Sequence, residues 1–336
     1  MKKTLLFLLT FVVILAGCNN EGEENDAADD APSSASTEIS FSTWANEGEP
    51  AYVGMEKFKE IVEDNTDYTV SLFPGNQLGS TAEQKEQVMM GSIEMMSSGD
   101  PGLIDIEMLS LPYLMDSNEH WKNVLESDIG QEWNEQLKSN QGLINIGILP
   151  RGPRVISSNI EIKTPDDLAG LKIRAPERDY YVETFSALGA NPTPVDFGEL
   201  YSAIDTGIVT AQENPLETIV AGGFMEIQSN ISLTNHMYKP AFITVNNDFF
   251  ESLTQEEREV FYDASAEAES LTSELLAEDE KETLQNLEDD GVVITEPERK
   301  LFEEKTQSVR DDLGIATWGE ETYNQIVEMG KEELSE

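Results

Sequence analysis

The sequence predicts an α/β protein of two lobes, and three observations carry that expectation. From Glu38 onward short β-like runs alternate with stretches of helical period, the pattern of βα units and parallel strands. The chain is 336 residues long, enough for about two domains. One helical pattern, from Thr254 to about Leu287, continues far beyond three or four turns with no Pro or Gly before Gly291, so it can cross from one lobe to the other.

Taken in order, residues 39–43 read as a strand, and Tyr52, Met55, Phe58, Ile61 and Val62 then recur at helical spacing over 51–64. A second strand follows at 68–73. Ser80 with Glu83 three positions on forms a capping-box start for a helix to Met90, and 93–96 returns as a buried strand, with Met89, Met90, Met95 and Met96 as core filler. Beyond helical stretches near His120 and Gln131, residues 143–148 and 154–157 are strands. Thr164 and Pro165 open a short helix before the strand at 171–174. An amphipathic helix over 179–188 ends at Gly189; strands at 193–196 and 209–212 flank a helix at 198–206, and Pro215 begins another. Residues 286–296 approach a calcium loop, but its twelfth position is Pro297 where Glu is required, so they read as a turn into a strand at 292–294.

Composition removes whole classes of function. With 66 Asp+Glu against 21 Lys+Arg the formal charge is -45, which excludes a nucleic-acid grip by net attraction and general affinity for anionic lipid. Hydrophobic residues at 39% supply a real core. A single Cys permits no intramolecular disulfide and no Cys-based zinc or iron–sulfur site. That Cys is placed where it has another use. Lys2 and Lys3 precede an apolar run from Leu5 to Leu15, too short for a spanning helix at about 20 residues, so 1–17 reads as a signal peptide. Leu15-Ala16-Gly17-Cys18 resembles a bacterial lipobox, which implies lipidation of Cys18 as the mature N-terminus. Residues 18–37 are acidic and nearly devoid of apolar side chains, a disordered tether between anchor and globule. The expected location is extracytoplasmic, on the outer face of the cell membrane. The acidity fits a saline or an alkaline exterior.

No nucleophile elbow, phosphate loop, dinucleotide fingerprint or paired metal-binding histidines are present, and neither a cofactor nor a metal is expected. His120 and His236 are expected in structural or surface roles. What remains is a set of polar and aromatic residues at strand ends, where open α/β sheets bind ligands. Arg174 ends Leu171-Lys172-Ile173-Arg174 before Ala175-Pro176, so its planar fork can take a carboxylate with two parallel hydrogen bonds. Arg154 follows the Gly152-Pro153 corner, with Arg151 equally available; either is a second anion contact or a partner for surface acids.

The stretches KTPDDLAGLKIRAPE from Lys163 and ALGANPTPVDFGELYSAIDTGIVTAQENP ending at Pro215 resemble the signature region of solute-binding proteins of tripartite ATP-independent periplasmic (TRAP) transporters, dicarboxylate-binding (DctP) type. Residues 73–79, FPGNQLG, and 233–236, LTNH, resemble that family's motifs in the same order, so the similarity covers the chain from Glu38 onward. The resemblance implies a two-lobed periplasmic-binding-protein (Venus flytrap) architecture, with lobe I at 38–151 plus 240–279 and lobe II at 152–239 plus 280–336. It implies Arg174 as the main ligand-carboxylate contact, Arg154 as a second, and Asn214 and Phe197 lining the pocket. Trp44 and the turn from Ser98 to Asp100 stand where the family places substrate-selective side chains. Here the sequence departs from the acidic and amide pattern of sialic-acid binders, which argues against a ligand of that size. The function so implied is a non-enzymatic, monomeric receptor that closes over a small carboxylate, a C4-dicarboxylate or related acid, and delivers it to membrane permease subunits. Two rivals remain: a receptor for a zwitterionic compatible solute boxed by Trp44 and Phe197, and a secreted hydrolase using paired carboxylates.

Overall fold

The computed structural model describes residues 38–330; the expected signal peptide at 1–17 and the expected lipidated Cys18 and acidic tether at 18–37 lie outside the described residues. The chain opens with β1 (Glu38–Thr43), α1 (Pro50–Asn65), β2 (Thr69–Phe73), α2 (Thr81–Met89), β3 (Met95–Ser98), α3 (Ile104–Glu107), α4 (Asn118–Glu126), α5 (Asp128–Gln141) and β4 (Leu143–Leu149). It continues through β5 (Arg154–Ser158), β6 (Lys172–Ala175), α6 (Asp179–Ala187), β7 (Asn191–Pro194), α7 (Leu200–Asp205), β8 (Ala211–Pro215), α8 (Leu216–Ala221) and β9 (Asn230–Ser232). Last come β10 (Ala241–Asn246), α9 (Asn247–Ser252), α10 (Gln255–Asp289), β11 (Val293–Thr295) and α11 (Arg299–Met329). Local signals set many of these bounds. Pro50 occupies the first turn of α1, and the capping boxes of Ser80 with Glu83 and Thr254 with Glu257 start α2 and α10.

Two sheets result, in the orders β2-β1-β3-β10-β4 and β11-β9-β5-β8-β6-β7. Both are mixed rather than purely parallel, a correction to the expected βα pattern. β1 runs parallel to β2 and β3, and β6 to β7 and β8, but β10 is antiparallel to both its neighbours and so is β5. The reason lies in connectivity: β5 enters from the first sheet and β10 returns from the second, so neither is placed by a βα crossover. Four further expectations shift. β3 lies two residues later than expected; Met95 and Met96 are buried, whereas Met89 and Met90 are exposed at the end of α2. β7 begins and ends two residues early, and β8 runs on to Pro215, so that α8 starts at Leu216.

α10 is one unbroken helix of 35 residues, about 52 Å at 1.5 Å per residue. Its first half seats Phe261, Ala264 and Ala268 in the core of the first sheet, and its second half lays Leu284 and Leu287 on the core of the second. Close approach needs small residues: a Cβ on Gly54 of α1 would collide with Thr272, and one on Gly147 of β4 with Ser265. α11, which the sequence reading left unassigned, bends at Gly319 (φ 78°) and buries Phe302, Tyr323 and Ile326. His120 Nε2 donates to the Ile326 carbonyl at 2.8 Å, joining α4 to this helix. No helix among the described residues is long and apolar enough to cross a membrane.

Candidate functional site

The ends of β1, β3, β6 and β8 and the start of β5 converge on a cavity of about 190 Å³. All six side chains singled out from the sequence, Trp44, Asp100, Arg154, Arg174, Phe197 and Asn214, line it. Trp44 follows β1, Asp100 follows β3, and Phe197 stands just past β7. Phe197 packs against the cores of both sheets at once.

Two of the arginines are already committed. Arg154 Nε donates to Glu213 Oε2 at 2.5 Å, and its Nη2 donates to Glu213 Oε1 at 2.8 Å and to Asn214 Oδ1 at 2.9 Å. Burial alone would raise the Glu213 carboxyl, but Arg154 and then His236 hold it at about 2. Burial likewise disfavours charge on Arg154, and Glu213 more than compensates, pushing its pKa upward. His236 Nε2 lies 3.2 Å from Glu213 Oε2, and its Nδ1 is 2.8 Å from Thr234 Oγ1. Asn214 extends the network, donating to Gln212 Oε1 at 2.7 Å. Arg151 donates to Thr218 Oγ1 at 2.8 Å, sits 4.0 Å from Glu217, and stacks 4.9 Å above the Trp44 ring. Burial first, and the nearby Arg154 charge second, lower its pKa.

Arg174 differs. Only 4% exposed, it donates through Nε to the Val195 carbonyl at 2.9 Å, and its terminal nitrogens make no hydrogen bond to any described residue. Burial pushes its pKa down to about 10; Glu213 opposes that and Arg154 adds to it. It is therefore a desolvated, forked cation aimed into a cavity with no carboxylate of its own, an arrangement that favours an incoming anion.

Around Asp100 the rim of the cavity carries residues the sequence reading missed. Asp100 Oδ1 accepts from the Gly102 amide at 2.8 Å, and its Oδ2 accepts from Lys85 at 3.2 Å and Arg178 at 3.1 Å. Burial would raise the Asp100 pKa; Lys85, the Gly102 amide and Arg178 together bring it below the usual range. Glu107 accepts from Arg178 Nε at 2.8 Å, with Lys239 Nζ at 3.5 Å, and Lys239 donates to the Tyr180 hydroxyl at 2.9 Å. One signal for Glu213 was present in the sequence, its place beside Asn214 in Gln212-Glu213-Asn214-Pro215. Arg178, Glu107 and Lys239 carried none. Among the described residues no group of three or more His, Cys, Asp or Glu could hold a metal ion, and residues 286–296 form the end of α10, a turn at Gly291 (φ 92°) and β11, close to the expected turn and strand.

Residues 41–315 match the profile of bacterial extracellular solute-binding protein family 7, DctP. The 2,3-diketo-L-gulonate-binding periplasmic protein YiaO of Escherichia coli (strain K12) is 28% identical over 312 residues, covering 90% of this chain and 92% of that protein. The ectoine-binding periplasmic protein TeaA of Halomonas elongata is 31% identical over 273 residues, 79% of each chain. The crystal structure of the sugar acid binding protein DctPAm from Advenella mimigardefordensis strain DPN7T, in complex with galactonate, superposes with a TM-score of 0.82 at 28% identity, covering 88% of this chain and 98% of that one. Agreement in length, in order along the chain and in fold makes this protein a member of the DctP family, the solute-binding proteins of TRAP transporters.

Proposed function

We propose that this chain is a lipid-anchored, extracytoplasmic receptor that captures a small organic acid with an arginine clamp and hands it to the membrane permease of a TRAP transporter. Lobe I comprises 38–151 with 240–279, lobe II comprises 152–239 with 280–336, and Cys18 carries the anchor; the receptor acts as a monomer and performs no chemistry on its solute. The observation that carries this reading is Arg174, a buried guanidinium with both terminal nitrogens uncommitted among the described residues. A carboxylate placed there would recover the cost of burying the charge. Arg154 and Asn214 bound that position from β5 and β8, and Trp44 and Phe197 add aromatic surface to its wall. Relatives bound to galactonate, erythronate and glucuronate put sugar acids beside C4-dicarboxylates as the first classes to test.

Two observations argue against the rivals. One face of Trp44 is already occupied by Arg151 at 4.9 Å, which leaves less of the ring to box the cationic group of a zwitterion. Asp100 is paired with Lys85 and Arg178 and held below the ordinary carboxylate range, the reverse of what a general acid needs. The test is a thermal-shift screen with galactonate, glucuronate, erythronate, succinate and ectoine. A true ligand at a hundred times its Kd stabilises the protein by about 2.7 kcal/mol. Stabilisation by a carboxylate is expected; a response to ectoine alone, or to none of the acids, overturns the reading.

A further inference from the structure

We propose that Arg178 is a positioning residue for solute capture, a latch that holds the two lobes together across the mouth of the cavity by bridging Asp100 and Glu107. The proposal rests on the capture reading above and adds to it a contact that needs no solute. Asp100 lies in the loop beyond β3 and Glu107 ends α3, which follows that loop, whereas Arg178 belongs to the turn beyond β6, so the bridge joins segments that follow strands of different sheets. Its geometry is bifurcated: Arg178 Nη2 reaches Asp100 Oδ2 at 3.1 Å while Nε reaches Glu107 Oε1 at 2.8 Å. Both carboxylate side chains are 9% exposed, whereas the Arg178 side chain is 42% exposed, so the guanidinium closes over the acids from the solvent side. Each acid also keeps a second cation, Lys85 for Asp100 and Lys239 for Glu107. Losing Arg178 therefore leaves neither acid buried without a partner, which allows the contact to break and re-form.

The latch is tied to the clamp by a very short piece of chain. Arg174 and Arg178 are separated only by Ala175-Pro176-Glu177, and the Arg178 amide donates to the Pro176 carbonyl at 2.7 Å, fixing the turn. The same strand end thus aims one guanidinium into the cavity and sends the next across its rim. A solute that seats on Arg174 steadies the element that carries Arg178, and an engaged Arg178 slows the escape of that solute.

Stopped-flow binding of a carboxylate identified by the screen, with Arg178→Ala, Arg178→Gln, Arg178→Lys and Arg178→Glu, tests this. The side chain is on the rim, so the variants fold and their solute-free melting temperatures stay near wild type. Removing the charge is expected to raise the dissociation rate about fivefold with little change in association rate, and to flatten the rise of that rate with added salt. Lys restores part of the effect, and Glu, repelled by two carboxylates, gives the fastest dissociation. A dissociation rate and salt dependence like wild type in the Ala and Gln variants would overturn the latch, as would a change confined to association. A second readout needs no solute: the distance between nitroxides at Glu86→Cys and Asp205→Cys, in a Cys18→Ser background, lengthens in Arg178→Glu, and an unchanged distance also overturns the proposal. Failure of every acid to bind wild-type protein sinks the capture reading instead, while the nitroxide distance still decides the latch.

Discussion

Replacing Arg174 separates a clamp from a structural arginine, because the two roles predict opposite pairs of results. The side chain is 4% exposed, is held only by Nε to Val195 O at 2.9 Å, and has its pKa pushed down to about 10 by burial. A depression of that size corresponds to roughly 3 kcal/mol spent on keeping the charge in the solute-free protein. Arg174→Ala relieves that cost and loses the packing of the stem, so its solute-free stability is expected within about 1 kcal/mol of wild type. Binding responds differently, since truncating one member of a desolvated ion pair costs about 2–5 kcal/mol, or about 30-fold to several thousandfold in Kd. Arg174→Lys keeps the charge but gives up the planar fork, and a loss of at least about tenfold is expected. Titration calorimetry supplies Kd, and urea denaturation without solute supplies stability. A variant that loses several kcal/mol of stability while binding like wild type would refute the reasoning.

Glu213→Ala leaves the Arg154 guanidinium buried without its partner and is expected to cost about 3–5 kcal/mol in urea denaturation, with Glu213→Gln costing less. Because Glu213 is held at about 2, below its unfolded value of about 4.3, it contributes stability that is complete above that value and lost as pH falls from about 4.3 to 2; Glu213→Gln flattens that part of the acid-unfolding curve. Gly147→Ala drives a methyl group into Ser265 of α10 and is expected to cost about 1–3 kcal/mol, part of it returned by Ser265→Ala. The formal charge of -45 repels an anion at long range, so the association rate of a carboxylate should rise with ionic strength, opposite to the usual steered encounter; stopped-flow kinetics in a salt series checks it.

What the sequence made legible were the features with local causes. The helical period of α1, the caps at Ser80 and Thr254, and the length of α10 depend on neighbours within a few positions, and those elements fall close to where the pattern puts them. β8 was misplaced because hydropathy cannot see it. All five residues of Ala211–Pro215 are buried, yet three are polar or charged and satisfied by partners on other strands. β10 and α11 went unassigned; the former is a fully buried strand, the latter a charged helix interrupted at Gly319. The candidate site divides the same way. Arg174, at a recognisable strand end, was visible from the residues themselves, whereas Asn214 was reached only through the family resemblance. Glu107 and Arg178 meet across 71 positions, and Arg154 and Glu213 across 59, separations at which a single sequence holds no pairing signal.

Three of the four arginines that line the cavity, Arg151, Arg154 and Arg174, bear on how so acidic a chain could hold an anion. If all three were free, like-charge repulsion in a low-dielectric pocket would favour partial unfolding or adventitious counterions. Instead Glu213 neutralises Arg154, and Glu217 and Thr218 occupy Arg151, leaving Arg174 as the one of the three whose terminal donors meet no acceptor among the described residues. The committed pairs act as scaffolding: they fix β5 against β8 and stack Arg151 on Trp44, so the open fork is held in shape by neutral groups. Surface acids beyond a Debye length of about 8 Å contribute little inside this enclosure, and the local field is set by the few charges that line it. On the proposed clamp, an anion entering the cavity would meet Arg174 as the one of these three cations with free terminal donors, and affinity for a single carboxylate would follow from that residual charge rather than from the charge of the protein as a whole.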